Sequence, residues 1–262
     1  MNKWGVIGCG WLGMPFAKKL VSQGAYVIGT TTSSDKIALL ESNQIQPKLL
    51  RQSDFYKEWD ALSTLDYVLL NIPPSQFKTS YAEAMSNIVK QLNHRCKVIF
   101  ISSTSVYPNN DTTVDEKSPA TGTGRNGQYV AQAEQALRNI KTDQITILRL
   151  AGLVGGDRHP AKYMQGKDIG GANNPVNLVH QSDCITAINA VQQKDCWGET
   201  VNICASDHPQ KKVYYKHVAE SLNLDTISFN TSPQSYKIVS NQHSKSLLDM
   251  EYKYDSPFDF PI

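Results

Sequence analysis

Five short apolar runs, near 4–8, 26–30, 66–72, 97–102 and 146–152, recur through the first part of the chain. Each is nearly continuous in apolar residues rather than alternating, which is the pattern of a strand buried on both faces. Between them, helical periodicity falls near 11–23, 34–43, 77–93 and 125–140. Strands that alternate with helices in this way build a doubly wound parallel sheet of the α/β class.

Beyond Gly155 the pattern changes. Residues 155–175 are rich in Gly, Pro and Asn and read as loop. A short apolar piece at 176–179 follows, then a helix at 183–192, a strand at 199–205, a helix near 210–223 and a polar C-terminal tail. The expected division is a first domain over 1–155 and a smaller substrate lobe over 156–262, with strand 199–205 returning to the main sheet. A chain of 262 residues is long enough for one large core with such an addition.

Hydrophobic residues make up 40% of the chain and charged residues 19%, a globular rather than a disordered composition. The 26 basic and 24 acidic residues leave a net charge of +2. That balance gives no electrostatic reason to expect nucleic acid or a membrane surface as partner. The five cysteines (Cys9, Cys96, Cys184, Cys196 and Cys204) are odd in number and form no C-x-x-C pair. They argue against a disulfide framework or a zinc site and fit a reducing, cytoplasmic setting. No metal site is expected. No apolar run reaches the length of a membrane span. Glycines and the Lys18–Lys19 pair interrupt the N-terminal apolar segment, so the start is read as mature structure rather than a signal peptide.

The first run leads into "GVIGCGWLG", residues 5–13. Gly8, Gly10 and Gly13 form G-x-G-x-x-G between a strand and a helix, the fingerprint of a Rossmann dinucleotide site. Gly8 permits the tight turn, Gly10 lets the backbone approach a pyrophosphate, and Gly13 lets helix and strand pack closely. Residues 8–13, which include Cys9, Trp11 and Leu12, would then present the first helical turn to the phosphates. NAD-binding sheets usually carry an Asp or Glu about 20 residues further on, for the ribose 2′-OH. Here that stretch reads Thr30, Thr31, Thr32, Ser33, Ser34, and the first acid is Asp35. Hydroxyls and Lys36 suit a 2′-phosphate that a carboxylate would repel, so NADP(H) is favoured over NAD(H). A helix cap formed by Ser33, Ser34 or Asp35 is the structural alternative.

Further blocks follow in order: "ISSTSVYP" (101–108), "TTVDEKSPATG" (112–122), "ILRLAGLVGGDRHP" (147–160), "NLVHQSDCITAI" (177–188) and "VNICASDHP" (201–209). In this sequence they resemble the extended and atypical short-chain dehydrogenase/reductase superfamily, especially its small bacterial NAD(P)-binding, sugar-nucleotide epimerase-like members. The resemblance covers nearly the whole chain. It implies that Ser103 hydrogen-bonds the substrate, and that Asn71, Ile72, Pro73, Ser102 and Ala151 lie along the cofactor. It also implies a Tyr-x-x-x-Lys pair on the next helix, in which Lys lowers the Tyr pKa for proton transfer. That pair is missing. Counting back from Glu134 puts Asn126 at the Tyr position and Val130 at the Lys position, and helix 125–140 contains no lysine. The Tyr163–Lys167 match lies in the later loop and is read as chance.

Without its lysine a Tyr keeps a pKa near about 10, a poor base that can still donate a proton. Reduction of a carbonyl or imine needs a donor, so it suffers least from the loss. Tyr107 and Tyr129 are the candidate donors, each with a bland alternative as a packed aromatic. Arg149, inside an apolar strand, needs a partner. Arg158, His159 and Lys167 are candidates to grip an anionic substrate, with a solvated basic loop as the alternative. Asp183 is a candidate helix cap. The expected function is an NADPH-dependent reductase, or an enzyme of epimerase-like chemistry, acting on a small polar or sugar-nucleotide-like molecule; a homodimer is allowed. The alternative is a non-catalytic NAD(P)-binding sensor or partner subunit.

Overall fold

Val6, Ile7, Val68, Leu69, Leu70, Val98, Ile99 and Phe100 are all completely buried, so the continuous apolar runs become the centre of a sheet covered on both faces. The computed structural model describes residues 1–122, 126–225, 227–230 and 232–261. The chain runs β1 (Lys3–Ile7), α1 (Gly13–Ser22), β2 (Tyr26–Thr31), α2 (Ile37–Ser42), β3 (Gln46–Leu49), β4 (Tyr67–Leu70), α3 (Tyr81–Lys90), β5 (Lys97–Ser103) and β6 (Thr112–Val114). It continues through α4 (Gly127–Ile140), β7 (Ile145–Leu150), β8 (Gly152–Val154), β9 (Asp168–Ile169), β10 (Leu178–His180), α5 (Gln181–Gln193) and β11 (Thr200–Ile203). The last elements are α6 (Lys211–Ser221), β12 (Ser228–Phe229), β13 (Lys237–Val239) and α7 (Gln242–Leu247).

Seven strands form one parallel sheet in the order β11-β7-β5-β4-β1-β2-β3. The order reverses between β1 and β4, which in α/β sheets opens a crevice at the carboxyl ends of the strands. This is the doubly wound α/β architecture expected. α1 is held by Phe16, Ala17 and Leu20, which are buried on one face, and Trp4 on β1 packs edge-on to Phe16 at 5.4 Å.

The structure adds elements that sequence pattern does not reveal. β3 sits at the sheet edge, where Pro47, lacking an N–H, is tolerated. The helix expected from residue 77 starts at Tyr81, because Lys78 has a left-handed backbone (φ 49°) that interrupts it. The polar C-terminal tail is folded: β13 pairs with β6, and Val239, Leu248 and Met250 enter the main core.

A second, smaller core joins Val154, Ala161, Val176, Leu178, Ala205, Tyr214, Tyr215, Val218 and Phe260. Cys184, Ala187, Ile188 and Val191 of α5, with Val201 and Ile203 of β11, belong instead to the main core. The chain therefore passes back and forth between the two cores after β8. Among the described residues no helix is long and apolar enough to cross a membrane.

Candidate functional site

A cavity of about 410 Å³ opens at the carboxyl ends of β1, β2, β4 and β5, beside the reversal in strand order. Its floor is the glycine loop. Gly8 has φ +107°, and a Cβ there would collide with the Asn71 carbonyl oxygen. A Cβ on Gly13 would collide with the Gly8 carbonyl oxygen, so α1 approaches β1 only because this residue is glycine. Gly10 has nothing within 4 Å of its missing side chain and faces the cavity. No side chain caps the N-terminus of α1 and no acid stands in its first turn. An open glycine, an uncapped helix start and a crevice at the strand ends fit a dinucleotide pyrophosphate.

Two side chains fasten this loop. Thr30 Oγ1 accepts the Gly8 N–H at 2.8 Å, and Asn71 Nδ2 donates to the Gly8 carbonyl at 3.2 Å. Thr30 is buried, and its hydroxyl is engaged by the loop itself. Thr31 closes a local turn with Ser33, accepting its N–H at 3.2 Å. Thr32 and Lys36 are exposed on the cavity wall. Among the described residues no Asp or Glu lines the cavity. Burial pushes the Cys9 thiol up to about 12, which makes it an inert part of the loop rather than a nucleophile.

Of the residues expected to hold a cofactor, Gly8, Cys9, Gly10, Trp11, Leu12, Thr30, Thr31, Thr32, Lys36, Asn71, Ile72, Pro73 and Ser102 line the cavity. Gly13, Ser33 and Ala151 do not: Gly13 is wedged under Gly8, and the Ala151 N–H donates to the Ile203 carbonyl at 3.0 Å. Leu50, Gln76, Tyr81, Ile101 and Leu153 also line it and were missed. Leu50 could have been found only by recognising β3, which has no strand pattern of its own.

At the other end of the cavity the expected reaction residues separate. Ser103 lines it, and its Oγ accepts the Ser105 N–H at 3.1 Å. Tyr107 does not. It is fully buried, its hydroxyl donates to Asn202 Oδ1 at 2.8 Å and accepts from Arg149 Nη1 at 2.7 Å. Burial pushes its pKa up against the pull of Arg149. This corrects Tyr107 as a proton donor: its hydroxyl is spent inside the protein. Arg149 finds its partner in Glu134 through two bonds, Nε to Oε1 at 3.0 Å and Nη2 to Oε2 at 2.6 Å. Burial pulls the Arg149 pKa down, and the bonds and charge of Glu134 more than offset that. The Ser102 hydroxyl donates to the same carboxylate. Val130, at the position of the absent lysine, lines the cavity as an apolar wall. Tyr129 is half-buried against the main core and is not among the described residues that line the cavity.

The basic loop disperses as well. Arg158 lines the cavity, and its guanidinium lies 5.3 Å from the centre of the Trp11 ring. His159, 4% exposed, turns into the second core. Its Nδ1 accepts the Ala161 N–H at 3.1 Å, which leaves Nε2 to donate to the Tyr214 hydroxyl at 2.9 Å. Burial, with Lys162 adding, pushes its pKa down to about 4. A neutral, internally bonded imidazole cannot grip an anion. Lys167 is exposed and away from the cavity. Asp183 is not the cap of α5; the His180 side chain accepts the Ser182 N–H there, and Asp183 holds Lys253 N–H at 2.8 Å and Tyr254 N–H at 3.3 Å. Among the described residues no group of three or more His, Cys, Asp or Glu side chains could hold a metal.

The fold is shared with solved NAD-binding proteins of the short-chain dehydrogenase/reductase and epimerase type. UDP-glucuronic acid 4-epimerase from Bacillus cereus, solved in complex with NAD, superposes with a TM-score of 0.78 at 18% identity, over 98% of this chain and 95% of that one. A short-chain dehydrogenase/reductase superfamily protein from Agrobacterium tumefaciens with bound NAD gives 0.76 at 16% identity, over 97% and 93%. Residues 3–125 match the model of the NAD binding domain of 6-phosphogluconate dehydrogenase. At the level of sequence, Protein YeeZ of Escherichia coli (strain K12) is 34% identical over 276 residues, covering 100% of both chains. The chain belongs to the same family as Protein YeeZ.

Proposed function

We propose that this chain is an NADP(H)-dependent reductase of the short-chain dehydrogenase type, working without a Tyr–Lys pair on a small polar carbonyl or imine. A sugar-nucleotide-like molecule is included in that class. The observation that carries the reading is the groove wall past β2: Thr32 and Lys36 face it, and among the described residues no carboxylate does. A 2′-phosphate is attracted there, and nothing on the wall repels it. The glycine loop and the start of α1 would hold the pyrophosphate, and Ile72 and Pro73 would lie along the dinucleotide.

When bound, NADPH would supply a hydride. Ser103, whose oxygen accepts the Ser105 N–H, keeps its own O–H free to hydrogen-bond the substrate's oxygen or nitrogen as negative charge develops there, and solvent supplies the proton that completes the alcohol or amine. Val130 offers no base, which favours reduction over the proton-abstracting direction. Homodimer formation stays within this proposal, as does the smaller lobe as the substrate side.

A second reading is a dinucleotide sensor with no turnover. It is favoured by the burial of Tyr107 and by the apolar Val130. NADPH oxidation across carbonyl, imine and sugar-nucleotide panels, with titration of NADPH and NADH, separates the two. The reductase requires tighter NADPH than NADH binding, and turnover that Ser103→Ala lowers about tenfold or more. Tight binding with no turnover on any panel member selects the sensor, and tighter NADH binding overturns the NADP assignment.

A further inference from the structure

The chain beyond β8 reaches the glycine loop through a short turn at 155–158. Gly155 and Arg158 bond to each other in both directions, N–H to carbonyl at 3.0 and 3.1 Å, and Gly156 between them has φ +59°. Arg158 therefore leaves a fixed hairpin rather than a free loop. That hairpin is bolted to Trp11: the indole Nε1 donates to the Gly155 carbonyl at 3.1 Å, and Gln181 Nε2 donates to the Trp11 carbonyl at 2.6 Å. The Arg158 guanidinium then covers the Trp11 ring, 5.3 Å from its centre.

A guanidinium held over an aromatic face by the cation–π attraction still has N–H groups available to an anion. Trp11 lies between Gly10 and Gly13, inside the segment whose N–H groups start α1. An anion on those groups is within the same cavity that Arg158 lines. We infer that Arg158 is a clamp on the pyrophosphate of the dinucleotide, supplied by the second lobe and aimed by Trp11, rather than a substrate-binding residue. The inference rests on the dinucleotide reading of the groove. It adds a full charge to the partial charge of the helix start, and it makes the bound dinucleotide a bridge between the two cores.

Direct binding of NADPH, 2′-phospho-ADP-ribose and 2′-AMP to the wild type and to Arg158→Ala tests it, with no turnover required. The clamp requires NADPH and 2′-phospho-ADP-ribose to weaken about tenfold to a hundredfold. It requires 2′-AMP, which has no pyrophosphate, to bind as before. Arg158→Lys should recover part of the loss, since the charge remains and the fork of N–H donors does not. Equal NADPH affinity for wild type and Arg158→Ala overturns the clamp, as does an equal loss for 2′-AMP. A raised KM for a carbonyl substrate with unchanged NADPH affinity hands Arg158 to the substrate and overturns it too. Failure of the wild type to bind any dinucleotide is a different result, and it removes the functional reading on which the clamp stands.

Discussion

At the glycine-loop end of the groove, Thr30, Asn71 and the Gly8 turn hold one another, and the space in front of Gly10 is open. At the Ser103 end, the polar side chains close in on themselves. Ser102, Glu134, Arg149, Tyr107 and Asn202 form one chain of bonds under the floor, and Ser103 faces the cavity beside the apolar Val130. The first end leaves the start of α1 uncapped and open to the cavity; at the second, the strongest charges satisfy each other. The glycine loop thus keeps its space open, while the polar residues at the other end satisfy one another within the core.

The comparison breaks most severely at Glu134. Glu134→Gln leaves the Arg149 guanidinium, only 7% exposed, without its counter-charge. The expected cost is about 3–5 kcal/mol in urea denaturation, with dinucleotide affinity of the surviving folded protein nearly unchanged. A cost below about 1 kcal/mol would show that the network is not a structural unit. Next is Gly13→Ala, which forces a Cβ against the Gly8 carbonyl. The expected stability loss is smaller, about 1–3 kcal/mol, and here NADPH binding should fall with it. Unimpaired binding would mean that the loop does not form the phosphate cradle. The smallest effect is expected at Lys36→Ala: the ratio of NADPH to NADH affinity should fall about tenfold, or about 1.4 kcal/mol. An unchanged ratio would leave discrimination to the hydroxyls alone.

Much of the first end is legible in sequence because it is local. The tight turn at Gly8 and the close helix–strand approach at Gly13 follow from their spacing between a strand and a helix, and Gly10 has open space before it. The second end is assembled from residues far apart in the chain, and side-chain direction decides it. Arg158 and His159 are adjacent, but His159 has an extended backbone (φ −142°, ψ 133°), so the two point to opposite sides. One faces the groove and the other the second core. Tyr107 follows a tight turn at Thr104–Val106 that sends it inward. That Arg149 needed a partner could be read from its apolar strand; that the partner is Glu134 could not.

By itself, the sequence determined the sheet, through apolar runs that only burial on both faces can satisfy, and the tight glycine loop between β1 and α1, through the spacing of Gly8, Gly10 and Gly13. It also determined that the Tyr–Lys pair is absent. Tertiary structure alone decided which polar groups face the cavity and which neutralise one another beneath it. The physical reason is that a buried charge must be paired, and pairing across α4, β5, β7 and β11 depends on how helices pack on strands rather than on any spacing along the chain.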